Sequence, residues 1–301
     1  MALPHPAYVG YRLGSILAQA LPEPMVPRVN ALIGAAGARV MRGRAALAAR
    51  HQLRVRPHLT SEEVREAVKQ AFTSYSGYWI ESFRLPRMDP TSLDAGFTVE
   101  GYAHIEEARR AGRPVILALP HLGSWEWAAF WLTAVRDLPV SAVVEPVEPP
   151  ELARWFVRLR QELGVEIITL GADAGAASAR ALAEDRILAL LCDRDLGGSG
   201  IEVEFFGERT TLPGGPATLA LRSGAALIPA VVYIGEDGGH RAVVRPPMDT
   251  ARRGKIREDV ARVTQALASE IEELIRIAPE QWHLMQPNWP SDPSTDEARR
   301  T

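Results

Sequence analysis

The sequence predicts an α/β fold, a central and mostly parallel sheet flanked by helices on both faces and preceded by two N-terminal helices. Two observations carry this. Short apolar runs recur at Val115–Leu119, Val140–Val144, 165–170 and Ile187–Leu191, with helical stretches near 125–135, 151–163 and 174–184 between them. Strands apolar along their length and spaced by helices are covered on both faces, which is the setting of a parallel sheet. In addition, Val260, Val263, Leu267, Ile271 and Leu274 follow one another at three- and four-residue steps, the packing stripe of a long helix.

Taken in order, two apolar helical stretches open the chain at 7–21 and 25–41, separated by Pro22-Glu23-Pro24. A helix follows over 61–83, with Ser61 as its cap and Glu62 and Glu63 in the first turn, where acids complement the helix dipole. After the four βα units, 201–206 and Ala226–Ile234 add strands, with a helix at 213–223 between them. Residues beyond Pro290 are polar and predict a frayed end. With no internal repeat and no clear linker, the expected organisation is a single unit over 1–301: a helical element at 1–60, an α/β core at 61–290 and a flexible tail at 291–301.

Composition narrows the function classes. Hydrophobic residues make up 47% and charged residues 24% of 301, ordinary for a globular chain. The net charge is −3 and the isoelectric point 6.2. Only Lys69 and Lys255 of the 34 basic residues are lysine. Between Glu23 and Glu62 there is no acid, while Arg28, Arg39, Arg42, Arg44, Arg50, Arg54 and Arg56 fall in that span. Apolar helices beside an arginine-only segment fit contact with an anionic membrane surface. The alternative is a core helix pair followed by a solvated basic loop. The run lacks the interleaved aromatics of a nucleic-acid site, so no nucleic acid is expected. No stretch reaches the ~18 apolar residues of a membrane-spanning helix. Ala18-Gln19-Ala20 resembles a leader cleavage site, but a cationic start is missing and Arg12 and Gly14 interrupt the apolar part. The lone Cys192 lies in an apolar run and reads as a buried, inert thiol. His5, His51, His58, His104 and His240 show no metal-ligand spacing, so no metal is expected.

The chemistry concentrates in Val115-Ile-Leu-Ala-Leu-Pro-His121-Leu-Gly-Ser-Trp-Glu126-Trp. A strand ends at Leu119, His121 lies in the turn, and a helix begins near Ser124. Ligands of open α/β sheets bind beyond the carboxyl ends of the strands, where His121 falls. On one continuous helix His121 and Glu126 would point about 140° apart. The turn between them lets Glu126 come back toward the imidazole. A carboxylate there fixes the tautomer and stabilises the imidazolium formed on proton uptake. The spacing by itself fits a hydrogen-bonded structural histidine equally well. Ser124 is a rival nucleophile, but His-Leu-Gly-Ser-Trp lacks the second glycine of a nucleophile elbow.

His121-x4-Glu126 after an apolar strand resembles the HX4(D/E) signature of glycerolipid and lipid A acyltransferases. Leu191-Cys-Asp193-Arg-Asp195, Val203-Glu-Phe205-Phe206-Gly207-Glu and Gly215-Pro216-Ala217 resemble the second block of the bacterial lauroyl/myristoyl branch. Tyr78-Trp79, Phe83-Arg84-Leu85-Pro86, Asp193-Arg194-Asp195-Leu196 and Trp282-His283-x-x-Gln286-Pro287-x-Trp289 are similar to actinobacterial phosphatidylinositol mannoside acyltransferases. The resemblance covers about 60–290. It implies transfer of a long-chain acyl group, palmitoyl, from acyl-CoA to a mannose hydroxyl of a phosphatidylinositol mannoside. The setting would be the cytoplasmic face of the membrane, with acyl-CoA as co-substrate and no other cofactor. His121 would be the general base, with Glu126 and Asp193 as its acidic supports. Glu145, Arg160, Arg194 and Asp195 are carried over as substrate-binding positions. Arg160 would meet phosphate or orient the acids; its plainer reading is a surface arginine capping the turn at Gly164. Trp125, Trp127, Phe130 and Trp131 would line an acyl groove or belong to the core. His283 is either a second polar contact or a structural histidine. A different glycolipid or lipid A-like acceptor, a thioesterase activating water, and a non-catalytic lipid-binding module remain the alternatives.

Overall fold

The computed structural model describes residues 5–235 and 238–293, so most of the tail expected at 291–301 lies outside the described residues. Four helices come first: α1 (Pro6–Ala20), α2 (Val26–Val40), α3 (Arg42–Val55) and α4 (Ser61–Arg84). Then follow α5 (Pro90–Ala95), β1 (Phe97–Glu100), α6 (Ala103–Arg110), β2 (Val115–Leu119), α7 (Trp125–Ala134), β3 (Val140–Val144), α8 (Pro150–Glu162), β4 (Val165–Thr169), α9 (Ala174–Ala183) and β5 (Ile187–Leu191). The chain continues through β6 (Ile201–Phe205), β7 (Glu208–Leu212), α10 (Gly215–Ser223), β8 (Ala226–Ile234), β9 (His240–Val244) and α11 (Ile256–Ile277).

Among the described residues seven strands form one sheet in the order β1-β9-β8-β2-β5-β3-β4. All neighbours are parallel except β8 and β9. The period of two along β2 separates the two faces. Ile116 and Ala118 pack with Leu182 of α9, Ala220 of α10 and Leu267 of α11. Val115, Leu117 and Leu119 pack with Leu93 of α5, Ile105 of α6 and Trp131 of α7. Helices therefore cover both faces, as expected from strands apolar throughout.

Several local expectations change. The cap of α4 is Thr60, not Ser61: the Thr60 hydroxyl accepts from the Glu63 amide at 3.3 Å and the Glu63 carboxylate accepts from the Thr60 amide at 2.7 Å. Only the residue three before Glu63 can close this reciprocal box. The strand at 201–206 does not join the central sheet. It pairs antiparallel with β7 as a separate ribbon that buries Val203 and Phe205 against α11 while Glu202 and Glu204 face solvent. Its turn, Phe206-Gly207, has positive φ at both positions (50° and 73°), as a two-residue hairpin of type I′ requires. β1, β7 and β9 carried no apolar run to announce them; β1 is four residues long at the sheet edge.

The arginine-rich segment is a helix that buries Leu47, Ala48, His51, Gln52 and Val55. Several of its arginines serve the fold. Arg54 pairs with Glu208 and Asp292 at 3.1 and 2.9 Å, and the Arg50 guanidinium donates to the Ser291 carbonyl at 2.9 Å.

Candidate active site

β2 and β5 are adjacent, parallel and in register, Leu119 opposite Leu191. The Cys192 amide extends the ladder by donating to the Leu119 carbonyl at 2.9 Å. The residues two beyond each strand end therefore lie side by side, and they are His121 and Asp193. The ring Nδ1 of His121 lies 2.6 Å from Asp193 Oδ1, and the His121 amide donates to Oδ2 at 3.0 Å. The Trp282 indole donates to the same Oδ2 at 2.7 Å, and the Asn288 side-chain amide to the Asp193 carbonyl at 3.1 Å.

Asp193 is fully buried. Burial by itself would push its carboxyl up, but the His121 charge and the hydrogen bonds from His121 and Trp282 outweigh this and hold it below the usual carboxylate range. An ionised carboxylate on Nδ1 keeps a proton there and leaves the Nε2 lone pair free. The His121 side chain remains 24% exposed, and Glu145, at the end of the next strand β3, has its Oε1 4.0 Å from Nε2. Glu145 also pairs with Arg194, which donates to Gln286 as well. Burial lowers the Arg194 guanidinium to about 10.

The turn holding His121 is pinned from outside. The His283 amide donates to the His121 carbonyl at 2.7 Å and the Gly123 amide to the Gln281 carbonyl at 3.1 Å. Gly123 has φ of +59°, and a Cβ there would sit 1.8 Å from the Val232 carbonyl oxygen. Only glycine permits this approach.

Glu126 does not come back to the imidazole. It is buried in the first turn of α7, where Oε1 accepts from Tyr78 at 2.7 Å and from Arg160 at 2.8 Å. Among the described residues no hydrogen bond or ion pair joins it to His121. Burial pushes its carboxyl up, and Arg160 and the Tyr78 hydroxyl oppose that push. An acid this buried needs a cation, and α8 supplies one. Arg160 is accordingly neither a surface arginine nor a cap of Gly164: its guanidinium lies over the Trp125 and Phe156 rings at 5.4 and 5.6 Å.

The remaining positions sort by their contacts. Asp195 accepts from the amides of Gly197 and Gly200 at 3.0 and 2.7 Å and from the Thr211 hydroxyl at 2.8 Å, so its carboxylate organises the glycine loop. Trp125, Trp127 and Trp131 are buried core, with Phe130 packed against the same cluster. Ser124 is buried and donates to Glu81. Burial, reinforced by His121 and partly opposed by Asp193, lowers His283 to about 3, and its Nε2 lies 2.9 Å from the Ser74 hydroxyl; it is a neutral, structural histidine. Burial raises the Cys192 thiol well above its ordinary value.

Sequence reasoning missed three contributors. Tyr78 and Trp282 stood in quoted motifs without a role, and Asn288 was the unassigned residue before Trp289. Their signal was an aromatic or amide residue inside a motif, silent about its partner.

The family model described as "Bacterial lipid A biosynthesis acyltransferase" matches residues 2–291. A phosphatidylinositol mannoside acyltransferase of Mycolicibacterium smegmatis is 37% identical over 298 residues, 97% of this chain and 94% of that protein. One from Mycobacterium tuberculosis is 38% identical over 232 residues, 75% of this chain and 71% of its own. A lipid A biosynthesis acyltransferase of Haemophilus influenzae is 24% identical over 75% of this chain and 69% of its own. The match takes in the N-terminal helices, the His121 turn and the Asp193 loop together, and the chain belongs to the bacterial lipid A biosynthesis acyltransferase family.

Proposed function

We propose that this protein transfers a long-chain acyl group, palmitoyl, from acyl-CoA to a mannose hydroxyl of a phosphatidylinositol mannoside, with His121 as general base. The observation that carries the reading is the orientation of one ring: Nδ1 is held by Asp193 at 2.6 Å, so Nε2 is the free basic atom at the exposed carboxyl edge of the sheet. A sugar hydroxyl is a poor nucleophile at neutral pH. Nε2 takes its proton as the oxygen attacks the thioester carbonyl. The tetrahedral intermediate then expels the CoA thiolate, which receives the proton. A positioned base is worth about 10²–10⁴ in rate. The acceptor is inferred from the mycobacterial relatives, whose names specify it.

The site of action in this reading is the cytoplasmic membrane face. α1 exposes Leu13, Ile16 and Leu17 at 55, 55 and 68%, and α2 exposes Leu32 and Val40 at 71 and 82%. An apolar face beside Arg28, Arg39, Arg42 and Arg44 suits peripheral contact with anionic lipid. No helix among the described residues is long and apolar enough to cross a membrane.

The test is incubation with palmitoyl-CoA, with and without phosphatidylinositol mannoside, followed by mass spectrometry. The expected result is a lipid heavier by one palmitoyl group, lost in His121→Ala. Free palmitate in both tubes and no acylated lipid would replace the transferase reading with a thioesterase.

A further inference from the structure

We propose that His51, on helix α3, is a positioning residue for the His121–Asp193 pair, acting through the segment 282–292. The inference rests on the acyltransferase reading of that pair. His51 is buried at 1% exposure, although it lies on the arginine-rich helix, far in sequence from the motifs. Its Nδ1 is 2.8 Å from the Leu284 carbonyl and its Nε2 is 3.2 Å from Asp292 Oδ2. The ring packs 5.7 Å from Trp282 and 5.1 Å from Trp289. Asp292 in turn accepts from the Asn288 amide at 2.9 Å, the Trp289 amide at 3.2 Å and Arg54 at 2.9 Å. One imidazole thus grips both ends of the segment.

The other side of that segment reaches the reacting pair at three points. Trp282 holds the Asp193 carboxylate, Asn288 holds the Asp193 carbonyl, and the His283 amide holds the His121 carbonyl. Among the described residues no hydrogen bond or ion pair joins His51 to His121 or Asp193. Its effect is to fix the frame from which the three hydrogen bonds project. Displacing a supporting frame by about 1 Å costs up to about 10²-fold in rate, even when it is remote from the chemistry. Helix α3 is therefore bound into the catalytic frame, besides following the exposed helices.

The test uses the full chain carrying His51→Ala or His51→Gln, with Asp292→Asn approaching the clamp from its other side. The far-downfield proton on His121 Nδ1 is read by NMR, and kcat and KM for palmitoyl-CoA are measured alongside. His51→Ala is expected to lower kcat about tenfold to a hundredfold with KM unchanged and to shift or broaden the downfield proton. His51→Gln, which keeps a donor, recovers part of both. An unchanged kcat and an unchanged downfield proton in whichever variants fold overturn the proposal. A wild-type protein without transfer activity overturns the functional reading instead, and the proton signal still reports on His51.

Discussion

Trp282 donates its indole N–H to Asp193 at 2.7 Å, on the same carboxylate oxygen that accepts the His121 amide. A residue from the end of the chain thus completes the surroundings of the buried acid that orients the imidazole. Trp282→Phe keeps an aromatic ring but removes this donor together with part of the buried indole. Loss of a hydrogen bond to a charged group costs about 1.5–3 kcal/mol. We expect a loss of at least that size in urea titrations, the smaller ring adding a cavity cost, together with a lower kcat.

Replacing Asp193 with Asn removes the charge that keeps the proton on Nδ1. Nε2 is then protonated in part of the population and cannot act as base. Transfer should fall by about 10²–10⁴, similar to His121→Ala, and the double variant should be little worse than either single one. Full additivity in steady-state rates would show that the two side chains do not act as a unit.

The depressed pKa of Asp193 also predicts a pH effect. The unfolded chain takes up this proton near pH 3.9, whereas the folded chain resists it to lower pH. The stabilisation is fully present above the unfolded value and disappears as pH falls through the folded one. Acid unfolding of Asp193→Asn should therefore be flatter below about pH 4 than that of the wild type.

His283 acts in a different window. It stays neutral in the folded chain down to about 3, while the unfolded chain protonates it below about 6.5. Its contribution to the pH slope is a loss of about 1.4 kcal/mol per pH unit as pH drops from 6.5 toward 3. Comparing the denaturant midpoint of wild type and His283→Gln from pH 7 to pH 4.5 isolates this slope. Equal slopes would contradict a ring held neutral in the folded chain.

Glu126 and Arg160 form a buried pair whose two members should not be equivalent to their joint removal. Arg160→Met leaves a buried carboxylate without its cation and should cost about 3–5 kcal/mol. Adding Glu126→Leu to that variant should return part of the loss. Thermal and urea denaturation of the three variants give the comparison.

Residues and their spacing already determined much of this protein. Apolar runs located β2, β3, β5 and β8 to the residue, because a strand covered on both faces has to be apolar along its length. The motif around His121 placed the imidazole at a strand exit for the same reason. What the chain order did not contain was the partnership. Glu126, five residues on, was the nearest acid, yet the carboxylate on the ring is Asp193, 72 residues away. That choice follows from strand order. β5 lies beside β2 in register, while the first turn of α7 points Glu126 at Tyr78 and Arg160. The arginines of α3 show the same division. Their lack of nearby acids was plain in the chain, but Glu208 and Asp292 reach Arg54 only after folding. Local periodicity dictates which residues are buried; which buried charges meet is decided by how distant strands and helices stack.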